Sequence, residues 1–135
     1  MALVVPNVGE VELLDKLIKD ALSVDENYTL KLYTAISPAL GEASVASDFT
    51  EAAFTNYVAK TLTRAGWAGA STAGGTTTTT YAQQSWTCGA SGETILGYYV
   101  IGTTSGILLW AEAFASSRTL ANGDVLNVTL SFGLA

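Results

Sequence analysis

An antiparallel β-sandwich, jelly-roll-like and mainly β, with one short N-terminal α-helix is what this sequence predicts. Three observations carry that reading. The stretch Ile95–Phe114, ILGYYVIGTTSGILLWAEAF, holds two apolar runs, Ile95–Ile101 and Ile107–Phe114, joined by a glycine-bounded polar turn, Gly102–Gly106. Runs of that length, rich in β-branched and aromatic residues and separated by such a turn, form a hairpin. Tyr28–Ile36 and the closing Leu126–Phe132 alternate apolar and polar residues, the period of a half-buried strand. Charged residues make up only 13% of the chain, about half the usual share. Thr, Ser, Ala and Gly fill the gap, giving a neutral, hydroxyl-rich surface suited to packing against other subunits.

Taken in order, Leu3-Val4-Val5 reads as a short strand or an arm laid on a neighbour. Asn7 then has the chemistry of an N-cap, with Glu10 placed for a capping box. Val11, Leu14, Ile18 and Ala21 fall on one stripe, so the helix is expected over about residues 7–22. The pairs Glu12–Lys16 and Asp15–Lys19 support it on the solvent side. In Tyr28–Ile36, Tyr28, Leu30, Leu32 and Ile36 share one face, and Thr29, Lys31 and Tyr33 take the other. Ser37–Asp48 is a loop. Phe49–Thr63 opens as helix or strand, with strand favoured in its second half by its aromatics and threonines.

Gly66–Gly75 is a loop carrying one exposed or anchoring tryptophan, Trp67. The threonine run Thr76–Thr80 is expected on a sheet edge or at a subunit contact. The central hairpin belongs inside a sheet, covered on at least one face, because its runs carry so little charge. After Phe114 the chain crosses to the turn Ala121–Asp124, whose Asn-Gly pair tolerates positive φ. In the last strand Leu126, Val128, Leu130 and Phe132 face inward, and Asn127, Thr129 and Ser131 outward. With 135 residues, no repeat and no linker, the expectation is a single domain over residues 1–135, its β core over about 28–132.

These features exclude more activities than they suggest. The formal charge of -6, with six scattered basic residues, argues against nucleic-acid binding, which needs clustered cations. No apolar run reaches membrane-spanning length. The apolar start Met1–Pro6 is shorter than a signal peptide and lacks its basic leader, so the expectation is synthesis in the cytoplasm and no membrane partner. Cys88 is alone and there is no histidine. Disulfides within the chain, His/Cys metal sets and an activated thiol are therefore not expected. Neither Asp48 with Glu51 nor Glu10 with Glu12 forms a calcium-loop pattern. A glycosidase pair would need distant acids such as Glu93 and Glu112. Glu112, lying between Trp110 and Phe114, is expected to be paired if it points into the core, with Arg118 or Arg64 as candidate partners, and needs no partner if it points outward at an edge. Trp67, Trp86, Tyr98 and Tyr99 are the aromatics that could stack on sugars if exposed. The reading is a non-enzyme with no catalytic, cofactor-binding or metal residues.

A chain-wide resemblance adds a family. VPN-GE before the helix, NYTLKLYT, FTEAAFTNYVAKTLT, YAQQSWT, GYYV…SGILLWAEAF and the closing ANGDVLNVTLSFGLA together resemble small structural proteins of tailed bacteriophages. The size and the expected sandwich are similar to capsid cement (decoration) proteins. That resemblance implies a virion protein on the outer capsid surface. It would bind the major capsid protein, self-associate as a dimer or trimer, and clamp neighbouring capsomers. It brings no catalytic residue and no cofactor. A tail or tail-fibre component that binds a receptor or glycan is the alternative. Since the hairpin is scaffold, the grip is expected elsewhere: in the N-terminal arm (Leu3, Val4, Val5), in Ser37–Asp48, and in Gly66–Thr80 through Trp67, Thr76, Thr78 and Thr80.

Overall fold

The computed structural model describes residues 3–14 and 26–134. Among them the chain forms helix α1 (Asn7–Leu14) and strands β1 (Tyr28–Ile36), β2 (Phe49–Glu51), β3 (Lys60–Leu62), β4 (Ser71–Ala73), β5 (Thr76–Thr80), β6 (Gln84–Thr87), β7 (Thr94–Gly102), β8 (Leu108–Thr119), β9 (Val125–Val128) and β10 (Ser131–Leu134). All pairings between named strands are antiparallel. The largest sheet runs β2-β1-β7-β8, with β3 beside β2 on the same edge of β1. The orders β10-β5-β4 and β6-β9 make two smaller sheets. The protein is thus mainly β, a sandwich with one short helix.

The hairpin forms where its pattern places it. β7 and β8 pair from Ile101–Leu108 outward, and β1 lies on the other side of β7. Gly106 takes φ +70, a conformation that glycine adopts without a Cβ penalty. The turn is held from outside by buried Glu26, whose Oε2 accepts from Ser105 N at 2.9 Å and from Thr104 N. Leu30, Leu32, Tyr98, Val100 and Trp110 on one face of this sheet pack against Trp86, Leu126, Val128 and Leu130 of the small-sheet layer. The opposite face is covered too. Tyr33, Phe49, Tyr99, Leu108 and Ala111 form a second cluster, closed by Ile36, Leu40 and Ala46. Each fully buried Leu or Val contributes roughly 1.5–3 kcal/mol, so the two-sided burial of β7 makes it the energetic centre of the fold.

Several local expectations change. The helix N-cap is Pro6, not Asn7. The Pro6 carbonyl accepts from Gly9 N and Glu10 N at 2.8 and 3.0 Å, and Asn7 N donates to Glu42 O. The packing stripe also differs, since Val11 is 60% exposed. Gly9 is the buried contact, and a Cβ there would collide with the Leu109 carbonyl oxygen. The helix therefore approaches β8 backbone to backbone. The expected continuation to residue 22, the side chains of Leu14, Ile18 and Ala21, and the pairs with Lys16 and Lys19 lie outside the described residues.

Further along, Ile36 leaves the face of Leu30 and Leu32 because the β1–β2 register shifts between Tyr33 and Ala35. β8 does not stop at Phe114. It bulges, passing from Gly97↔Ala113 to Ile95↔Arg118, and continues to Thr119. In the Ala121–Asp124 turn only Gly123 has positive φ. The last strand keeps its alternation but divides: β9 pairs with β6, and β10 pairs with β5. Because β5 lies between β10 and β4, the threonine run is central in its sheet, not at an edge. Its hydrogen bonds are satisfied on both sides.

Candidate functional site

The layer built from β4, β5, β6, β9 and β10 contains no Asp, Glu, Lys or Arg. Alternation along β5 places Thr76, Thr78 and Thr80 on one face. The register sets Ala73 opposite Thr76, Ser71 and Gly133 opposite Thr78, and Ser131 opposite Thr80. The result is a platform of small and hydroxyl side chains. On the other face, the Thr72 and Thr77 hydroxyls lie 2.8 Å apart and Thr79 Oγ1 donates to Ala68 O at 2.6 Å. Hydroxyls tied down in this way stiffen the sheet.

Trp67 is not part of the platform. It lines a cleft of about 260 Å³ with Leu13, Tyr28, Arg64, Thr79, Trp110 and Phe132. Thr79 and Phe132 are register partners, so the cleft lies on the face of β5 opposite Thr76, Thr78 and Thr80. The Trp67 ring meets Tyr81 at 5.2 Å and Trp110 at 5.9 Å, both edge to face. It is an anchoring tryptophan, and its Nε1 is buried without an acceptor. Leu3 and Val5 pack on the main core, while Val4 exchanges two backbone bonds with Ala111 at 3.0 and 2.9 Å. The described arm thus lies on its own chain. The structure therefore brings Thr76, Thr78 and Thr80 together and separates them from Trp67. The sequence reading missed Ser71, Ala73 and Gly133. Only Ser131 carried a signal, its outward position in the final alternation.

The acids are engaged structurally. Glu112 Oε2 accepts from Tyr98 Oη at 2.7 Å, so its partner is a phenol and not Arg118 or Arg64. Glu51 bridges Lys31 Nζ at 2.7 Å and accepts from Tyr57 Oη at 3.0 Å. Glu93 accepts from Ala53 N at 2.6 Å, and Asp48 from Val45 N at 2.9 Å. Burial pushes the phenols of Tyr33, Tyr57, Tyr98 and Tyr99 above their ordinary value. Nearby carboxylates add to this, Glu51 for Tyr57 and Tyr99 and Glu112 for Tyr98, and Tyr99 reaches about 12. Trp86, Tyr98 and Tyr99 are buried, which removes them from the aromatics that could stack on a sugar. Trp86 Nε1 donates to Val58 O at 2.8 Å. Cys88 is buried at the end of β6, its thiol directed to the Gly89 and Ser91 carbonyls. Among the described residues no group of three or more metal-ligating side chains converges.

No protein-family model matches the chain, and no curated protein matches it.

Proposed function

We propose that this chain is a structural protein of a tailed-phage virion, a capsid cement protein that adheres to the outer shell and bridges neighbouring capsomers. One observation carries the reading: an entire layer of the sandwich is free of charged residues. A solvent-facing layer is ordinarily rich in Lys, Glu, Asp and Arg, whereas the centre of a protein interface is depleted of charge. The Thr76, Thr78 and Thr80 platform supplies small side chains and hydroxyls for such a contact, and the chain-wide resemblance to phage structural proteins supports the same reading. Its action is adhesion. Contacts across capsomer boundaries add binding free energy that the shell must lose before it opens. The partner is the major capsid protein, and self-association as a dimer or trimer multiplies each contact by symmetry.

The test is re-association. Shells lacking this chain, incubated with purified protein, should bind it and open at a higher temperature. Substituting Thr78 and Thr80 with lysine should abolish both effects while leaving the isolated protein folded. Shells that neither bind the chain nor gain stability would contradict the reading. A second reading, a tail or tail-fibre component that binds a glycan, is favoured by the aromatic cleft at Trp67. Glycan-array binding lost on Trp67→Ala supports it, and an array without signal opposes it.

A further inference from the structure

We infer that the outer edge of β8 receives one extended, uncharged segment of a partner protein, seated in the slot between β8 and β9. These two strands follow one another through the Ala121–Asp124 turn, yet they do not pair. β8 bonds to β7, and β9 bonds to β6. Between them lie two adjoining cavities of about 530 and 320 Å³ that share Arg118, Leu126 and Asn127.

Three features fix the kind of occupant. Among the described residues, the only pairing on the outer side of β8 is Val4 at Ala111, through both backbone bonds. This edge therefore already accepts an extended segment at Ala111. The stretch 114–117 is also out of register with β7, since Ala113 pairs with Gly97 and Arg118 with Ile95. Residues 115–119 are exposed. Unpaired strand edges of this length are ordinarily blunted or occupied, and strand addition is an established mode of peptide recognition. Finally, β9 walls the far side, so the slot admits a lone arm and not the edge of another sheet. Phe114 and Leu126 give an apolar footing. Glu112, Arg118 and Asp124 put both signs of charge on the walls, which favours an uncharged arm. Its insertion would join the largest sheet to the β6-β9 pair. That the arm belongs to a capsid protein rests on the reading above; the slot itself does not.

The probe for the slot is an acetylated and amidated hexapeptide of alternating valine and threonine, followed by the amide resonances of the full chain. Shifts confined to residues 113–119 and 125–127 are expected. In Ala115→Pro, which removes an edge N–H where β7 makes no pairing, affinity should fall by about tenfold or more. An unchanged melting temperature shows that this variant folds. If it does not fold, hydrogen exchange in the wild-type chain decides, with slowing at 113–119 on peptide addition as the expected result. No shift and no slowing at about 1 mM peptide, or shifts elsewhere, overturns the slot. On particles, slowed exchange at 113–119 supports a capsid arm. Binding to particles with this edge still exchanging freely overturns that assignment. Peptide binding by a chain that no particle retains keeps the slot and removes the capsid reading.

Discussion

Tyr98 and Glu112 face each other across the β7–β8 register, and the phenol donates to the carboxylate at 2.7 Å. A neutral donor on the adjacent strand thus satisfies an acid set among apolar residues, with no cation involved. Tyr98→Phe leaves that oxygen unpaired and should cost about 1–2 kcal/mol in denaturant unfolding. Glu112→Gln, which keeps an acceptor oxygen, should cost less. Equal losses for the two would show that the hydrogen bond does not contribute.

The buried phenols set the alkaline limit. Tyr33, Tyr57, Tyr98 and Tyr99 hold their protons more tightly folded than unfolded, where the value is 10.0. Their contribution is therefore fully present below pH 10 and is lost as pH rises through the folded values. Above about pH 10 the unfolded chain binds fewer protons than the native one, so stability should fall by up to about 1.4 kcal/mol per pH unit for each phenol. Urea unfolding from pH 7 to 12 should give a flat stability up to about pH 9 and a steep decline beyond.

Gly9 is where α1 meets the Leu109 carbonyl. Alanine is better than glycine in a helix by about 1 kcal/mol, yet Gly9→Ala should destabilise by about 1–3 kcal/mol because the helix must lift from β8. Gly69→Ala, with nothing within 4 Å of the added Cβ, is the control and should be neutral. Calorimetry of the pair separates close approach from propensity.

The two tryptophans with opposite hydrogen-bond status make another contrast. Trp67 Nε1 has no acceptor, whereas Trp86 Nε1 bonds to Val58 O. Trp67→Phe gives up some packing but also removes a buried orphan donor worth about 1–3 kcal/mol. It should be close to neutral. Trp86→Phe loses both ring area and the bond, and its melting temperature should fall clearly below that of Trp67→Phe.

How much of this was legible follows from the range over which each signal acts. The hairpin, its glycine turn and β1 are local patterns, and they form where alternation and turn chemistry place them. The Thr76, Thr78 and Thr80 face is legible for the same reason. Register between distant strands leaves no local trace. Nothing in TTTTT says that β10 and β4 flank it, and nothing near Thr129 says that the last strand changes partner there. Gly9 misleads in another way. Hydrophobic periodicity rewards Val11, but the closest approach of a helix to a sheet is made by the residue with no side chain. Glu112 is paired, as a carboxylate turned towards the core must be, but its partner is a phenol one strand away, which no spacing in the sequence marks.

The central proposal, that this chain is a capsid-bound adhesive protein, is tested most directly by counting it in purified phage particles. A contact repeated by the symmetry of a shell predicts on the order of hundreds of copies per particle. A dozen copies or fewer would contradict a capsid role and move the chain to the tail.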